Sequence, residues 1–157
     1  MTTSTSHRSA SRLNLASYVR RRNGVPLGAA GSLQNMLHRS LGAPSITIFW
    51  QYWNPIFGFV LAKYVYRPLN TLLPPALSLV LTFVVCGIFH DLFASAVAGR
   101  VVYVCTLWFF LMGLGVLLSK WIKMDLSPFS WIVRALANTS YVAVCLSGAL
   151  YIRWLVE

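Results

Sequence analysis

Between Pro68 and Phe89 the chain carries no charged side chain. Drawn as an α-helix at 1.5 Å per residue, that run is about 33 Å long, enough to cross a hydrocarbon core of about 30 Å. Two more apolar runs follow, 101–119 and 137–156. In lipid, backbone polar groups are satisfied only inside helices or closed barrels, and runs of this length and character select helices. The expected fold is an all-α integral membrane protein with about three transmembrane helices. Composition agrees, with 57% hydrophobic and only 10% charged residues, far from the globular average.

The net charge of +10 raises nucleic acid as a partner, and its distribution argues against one. Six of the thirteen Lys and Arg residues lie in the first forty positions, and most others sit at the ends of apolar runs. That is how an anionic membrane surface is engaged. There is no stretch of interleaved basic and aromatic residues, no zinc-finger spacing and no basic heptad. Cys86, Cys105 and Cys145 all lie within apolar runs at spacings that suit neither zinc nor a disulfide framework, so they read as small buried hydrophobes. Neither a metal nor a bound cofactor is expected.

Two segments divide the chain. Residues 1–44 are rich in Ser and Arg and hold no acid. No apolar h-region of a secretory signal follows. The composition suits an organelle transit peptide or, preferred here, a disordered basic tail in the cytosol. Within it "SLQNMLHRSL" (32–41) places Leu33, Met36, Leu37 and Leu41 at helical spacing, as a helix lying on the membrane surface would. Residues 45–157 are the membrane domain. It begins with "ITIFWQYWNPIFGFVLAKYVYRPLN" (46–70), whose apolar part holds Gln51, Asn54 and Pro55. Proline removes a backbone donor and disfavours helix at the residue before it. This stretch is expected to be a broken, re-entrant or interfacial helical element rather than a span.

The next helix should start near Pro75, where proline fits a first turn, and run past His90 to about Ala98. If the 46–62 element does not cross, the basic tail, Lys63, Arg67, Lys120, Lys123 and Arg134 share one side, with Arg100 and Arg153 opposite. That arrangement obeys the positive-inside rule better than a crossing element does. It makes the protein multi-pass with a cytosolic N-terminus.

"FVVCGIFHDLFASA" (83–96) then stands out. An aspartate inside a span costs about 2.5–3.5 kcal/mol on insertion scales, and intramembrane ionisable groups are mostly functional. His90 lies about 22 Å along the helix from Pro75. Its side chain leans back over Cys86 and Gly87, both small, which would leave room for a substrate. Imidazole exchanges a proton near neutral pH and can serve as a general base. Cys86 at i−4 also permits a Cys–His nucleophile pair, though an apolar helix face disfavours the thiolate. Asp91 points about 100° away from His90 and is expected to pair with Arg100 or Arg67, as a structural ion pair or as part of a substrate channel. Asn54 either marks a turn before Pro55 or offers an amide to a carbonyl or oxyanion.

Four pieces in order, "SLQNMLHRSLGAPSITIFWQYWN", "YVYRPL", "FVVCGIFHDL" and "LWFFLMGLGVLLSKW", resemble the membrane-bound O-acyltransferase superfamily, and within it the wax synthase branch. The resemblance covers about residues 45–155. It implies transfer of an acyl group from a thioester, acyl-CoA as co-substrate, to a hydroxyl acceptor, as in wax ester synthesis. It implies that His90 is the catalytic base, and Asn54 the polar residue that positions substrate or polarises the carbonyl. Lys63 and Arg67, beside Asn54, are candidates to meet CoA phosphates or are simple positive-inside anchors. Cys86, Gly87 and Asp91 complete the candidate substrate site. The chain departs from the family pattern at Cys86, where Ser is common, at Asp91, where Glu is frequent, and at Lys120, near where an acid is often seen. Family members also have many more spans N-terminal to this region. Two function classes are therefore expected: an acyltransferase, with a homo-oligomer completing its tunnel, or a non-catalytic or partner subunit of a larger membrane acyltransferase.

Overall fold

The computed structural model describes residues 14–156, and every regular element among them is helical. Two short helices come first, α1 (Leu15–Asn23) and α2 (Ser32–Leu41). A broken stretch follows: α3 (Ile46–Tyr52), α4 (Pro55–Leu61), a π turn (Ala62–Tyr66) and α5 (Arg67–Leu72). Three long helices close the chain, α6 (Pro75–Ala98), α7 (Val104–Trp121) and α8 (Trp131–Val156). These three are long and apolar enough to cross a membrane. The protein is an all-α membrane protein.

Local chemistry sets the boundaries. Asn14 caps α1 by accepting from the Ser17 amide at 2.8 Å, and Arg20, Arg21 and Arg22 fill its last turn, where cations complement the helix dipole. Ser45 caps α3. The chain breaks at Trp53 and Asn54 because Pro55 opens α4. Asn54 adopts a left-handed backbone (φ 39°) and its side-chain oxygen accepts from the Phe57 amide at 3.2 Å. From Pro55 the helix is continuous to Leu72, its middle loosened into the π turn.

α6 and α7 form the central pair, brought close by glycine. A Cβ on Gly87 would lie 2.6 Å from the Thr106 Cα and 2.7 Å from the Cys105 carbonyl oxygen. One on Gly113 would press on Phe83 and Val80. Small residues at such crossings let backbones approach where lipid supplies no hydrophobic drive. The core here is Cys86, Phe109 and Met112, packed against Trp50, Phe83 and Tyr141. Tyr141 ties α8 to α7 by donating to the Met112 carbonyl.

The N-terminal helices dock on the bundle where α7 ends and α8 begins. The buried Asn138 amide donates to the carbonyls of Leu41 and Ala43, at 2.8 and 3.0 Å. Trp131 donates to the His38 carbonyl at 3.0 Å and stacks on its ring. The Leu126 amide reaches the Pro44 carbonyl. This corrects the expectation of a disordered tail. From residue 14 onward the basic segment is folded, because α1 carries its own cap and packs on α4. The helix expected over 32–41 is α2, and it lies against α3 and α8. The first thirteen residues, and the transit-peptide reading with them, lie outside the described residues. α6 matches its expected bounds, and the last span starts at Trp131 instead of 137.

Candidate functional site

A cavity of about 460 Å³ lies between the broken element and the α6–α7 pair, with α1 closing part of its side. Ligand sites commonly have this size. Its lining runs along α6 from Leu79 to His90 and along α7 from Lys120 back to Phe109, about 16 Å in each case. Trp50, Phe57, Phe83 and Leu61 make its walls apolar, while Thr82, Gln51, Asn54 and His90 supply polar atoms.

His90 stands at one end of this lining and is itself exposed at the α6 surface. Its ring stacks on Phe109 at 4.9 Å and meets the edge of Phe57 at 6.1 Å. Its Nδ1 lies 2.7 Å from the Cys86 carbonyl oxygen. A carbonyl only accepts, so Nδ1 carries the proton, and in the neutral ring Nε2 is left with the lone pair. Nothing in the protein engages Nε2 among the described residues. The helix has therefore fixed the tautomer that a base needs. The same bond excludes a Cys–His pair: the Cys86 sulfur is 3.9 Å from Nδ1, a nitrogen that has no lone pair to take the thiol proton. Cys86 lines the cavity as an apolar wall.

Gly87 and Asp91 have structural roles that the sequence does not indicate. Gly87 does not open space beside the imidazole; it is buried where α7 crosses. Asp91 pairs with neither Arg100 nor Arg67. Its carboxylate is 5% exposed and accepts from the backbone amides of Cys105 and Thr106, at 2.8 and 2.6 Å. It caps α7 from the neighbouring helix, satisfying first-turn donors that have no partner within their own helix. One turn of α6 thus carries His90 and, at the next position, the clasp that fixes α7.

Asn54 lines the cavity and also makes the turn. Its oxygen is used by Phe57, and its backbone amide points at the Met36 sulfur, 3.3 Å away. The side-chain NH₂ has no protein acceptor among the described residues, so it remains a donor available to a ligand. Lys63 and Arg67 do not line the cavity. Both are exposed, and the Lys63 ammonium sits over the rings of Phe59 and Tyr64. The cations that do line it are Arg22 and Lys120. Arg22 is not apparent from the sequence because it belongs to the basic tail; the available signal is a run of three arginines between a capping Asn14 and Gly24.

Comparison with protein-family models, with curated proteins and with solved structures finds no match to this chain.

Proposed function

We propose that this protein is a membrane O-acyltransferase of the wax synthase type, moving an acyl group from acyl-CoA to a hydroxyl acceptor. The observation that carries the reading is His90: an imidazole with Nδ1 tied to a backbone carbonyl and Nε2 free, at one end of an apolar cavity. In the proposed step, Nε2 takes the proton of the acceptor hydroxyl as its oxygen attacks the thioester carbonyl. The C–S bond then breaks, and the thiolate leaves with the proton returned from the imidazolium. The Asn54 NH₂ is the donor for the developing oxyanion. Apolar walls limit the water that would hydrolyse the thioester. A cytosolic N-terminus belongs to the same proposal; the docking of the basic helices α1 and α2 on the bundle end that carries Lys120 and Lys123 supports it through the positive-inside rule.

A second reading, a subunit that lends this cavity to a larger acyltransferase, is favoured by one observation. His90 also opens sideways onto a notch walled by Phe57, Phe89 and Phe93, which a neighbouring helix would cover as well as an acyl chain would. The test is to purify the full chain in detergent and supply labelled palmitoyl-CoA with hexadecanol. Labelled wax ester from the chain alone supports the enzyme. Ester that appears only when a second membrane chain is added supports the subunit, and none under either condition overturns both.

A further inference from the structure

Arg22 and Lys120 put two cations on the wall of an otherwise apolar cavity, and among the described residues no carboxylate lines it with them. The aspartates of the described residues are engaged elsewhere, Asp91 by the α7 amides and Asp125 by the Ser127 amide. Arg22 comes from α1, its Nη1 donating to Gln51 of α3 and its guanidinium over the Tyr18 ring. Its Nε is buried and has no acceptor in the protein. A buried donor on a charged group is costly to leave unpaired. Lys120 stands at the other end of the α7 lining from Phe109, against which His90 stacks.

From this arrangement we infer that Arg22 and Lys120 form a phosphate-binding site within the cavity, and that its ligand is an anionic amphiphile whose remaining length runs along the aromatic walls toward His90. A guanidinium with an unfilled N–H and an exposed ammonium both suit phosphate oxygens. The site stands on the cavity and its unbalanced charge. Only the placement of the ligand's acyl carbonyl at His90 rests on the acyltransferase reading. That placement selects among phosphate sources. Lys120 and His90 are separated by about 16 Å of helix, so a ligand touching both needs a long spacer between phosphate and carbonyl. A phosphopantetheine thioester has such a spacer; in a glycerophospholipid the phosphate lies a few bonds from its ester carbonyls.

Binding to the purified full chain in maltoside micelles tests this, read by tryptophan fluorescence. The probes are palmitoyl-CoA, lysophosphatidate and uncharged monopalmitoylglycerol. The variants are Lys120→Gln, Arg22→Gln and the charge-keeping Arg22→Lys. Arg20→Gln and Lys123→Asn, exposed cations on the same helix and at the same bundle end, are the comparison. Lys120→Gln and Arg22→Gln should each weaken palmitoyl-CoA binding by about tenfold or more. Arg22→Lys should recover part of the loss, and the comparison variants should change binding by less than about twofold. The uncharged lipid should be indifferent to all of them. Equal losses at Arg20 and Lys123, or uncharged lipid binding as tightly as palmitoyl-CoA, would overturn the site. If lysophosphatidate shows the losses and palmitoyl-CoA does not, the phosphate site stands with a lipid headgroup as its occupant, and it is the acyl-CoA reading that fails.

Discussion

Asp91→Ala removes the clasp that holds α7 against the turn of α6 carrying His90. The carboxylate accepts two amide hydrogen bonds at 2.8 and 2.6 Å and is almost wholly buried. Hydrogen bonds to a charged group contribute about 1.5–3 kcal/mol each, and alanine leaves both amides without their acceptor. The two bonds together put the cost of alanine at about 3–6 kcal/mol. Asp91→Asn would keep one oxygen acceptor and should lose about half as much. The assay is unfolding of the purified protein in mixed micelles titrated with dodecyl sulfate, followed by helical circular dichroism. The expected order of stability is wild type, Asp91→Asn, Asp91→Ala. Amide exchange at Cys105 and Thr106 should accelerate in the alanine variant before global unfolding. An alanine variant within about 0.5 kcal/mol of wild type, the range of an ordinary surface change, would refute the capping role.

Other perturbations report on different parts of the structure. Gly87→Val should force α6 and α7 apart, since even a Cβ meets α7 backbone; overpacking of this kind costs about 1–3 kcal/mol or more, seen in the same titration. Asn138→Leu should release α2 and the loop that follows it from α8 by stranding the Leu41 and Ala43 carbonyls, at about 2–3 kcal/mol, and limited proteolysis should then cut near residue 42. Asn54→Gly keeps the left-handed turn at a modest capping cost of a few tenths of a kcal/mol, so ester formation that survives it would leave Asn54 a turn residue only. The Ser127 amide holds the exposed Asp125 carboxyl below the usual carboxylate range. That contact therefore stabilises the α7–α8 loop above this range and is lost as pH falls through the depressed value. The Ser127 amide shift should follow that titration and be flat in Asp125→Asn.

The spans are legible in the sequence because lipid imposes a simple rule: a long uncharged run must become a helix. Pro55 and Pro75 are legible for a similar reason, since proline constrains the chain wherever it occurs. The role of Asp91 is not, because its partners are backbone amides fourteen and fifteen positions along the chain, and backbone donors leave no mark on the side-chain pattern. Gly87 is hidden on the same ground: its small size serves a helix crossing that only the tertiary structure reveals. Arg22 is masked by its polar surroundings, since a basic, Ser-rich segment looks like tail until a cap and a neighbour give it a fold. His90 is visible throughout, while the bond that fixes its tautomer follows from helix geometry and the carbonyl of Cys86.

The central claim is that His90 acts as a base on the acceptor hydroxyl. The most direct measurement is single-turnover transfer from labelled palmitoyl-CoA to hexadecanol by wild type and His90→Gln, with palmitoyl-CoA affinity measured on the same samples. The account predicts a rate lower by about a hundred- to ten-thousand-fold with affinity little changed. Unaltered transfer in His90→Gln, or a loss traced entirely to weaker binding, would contradict it.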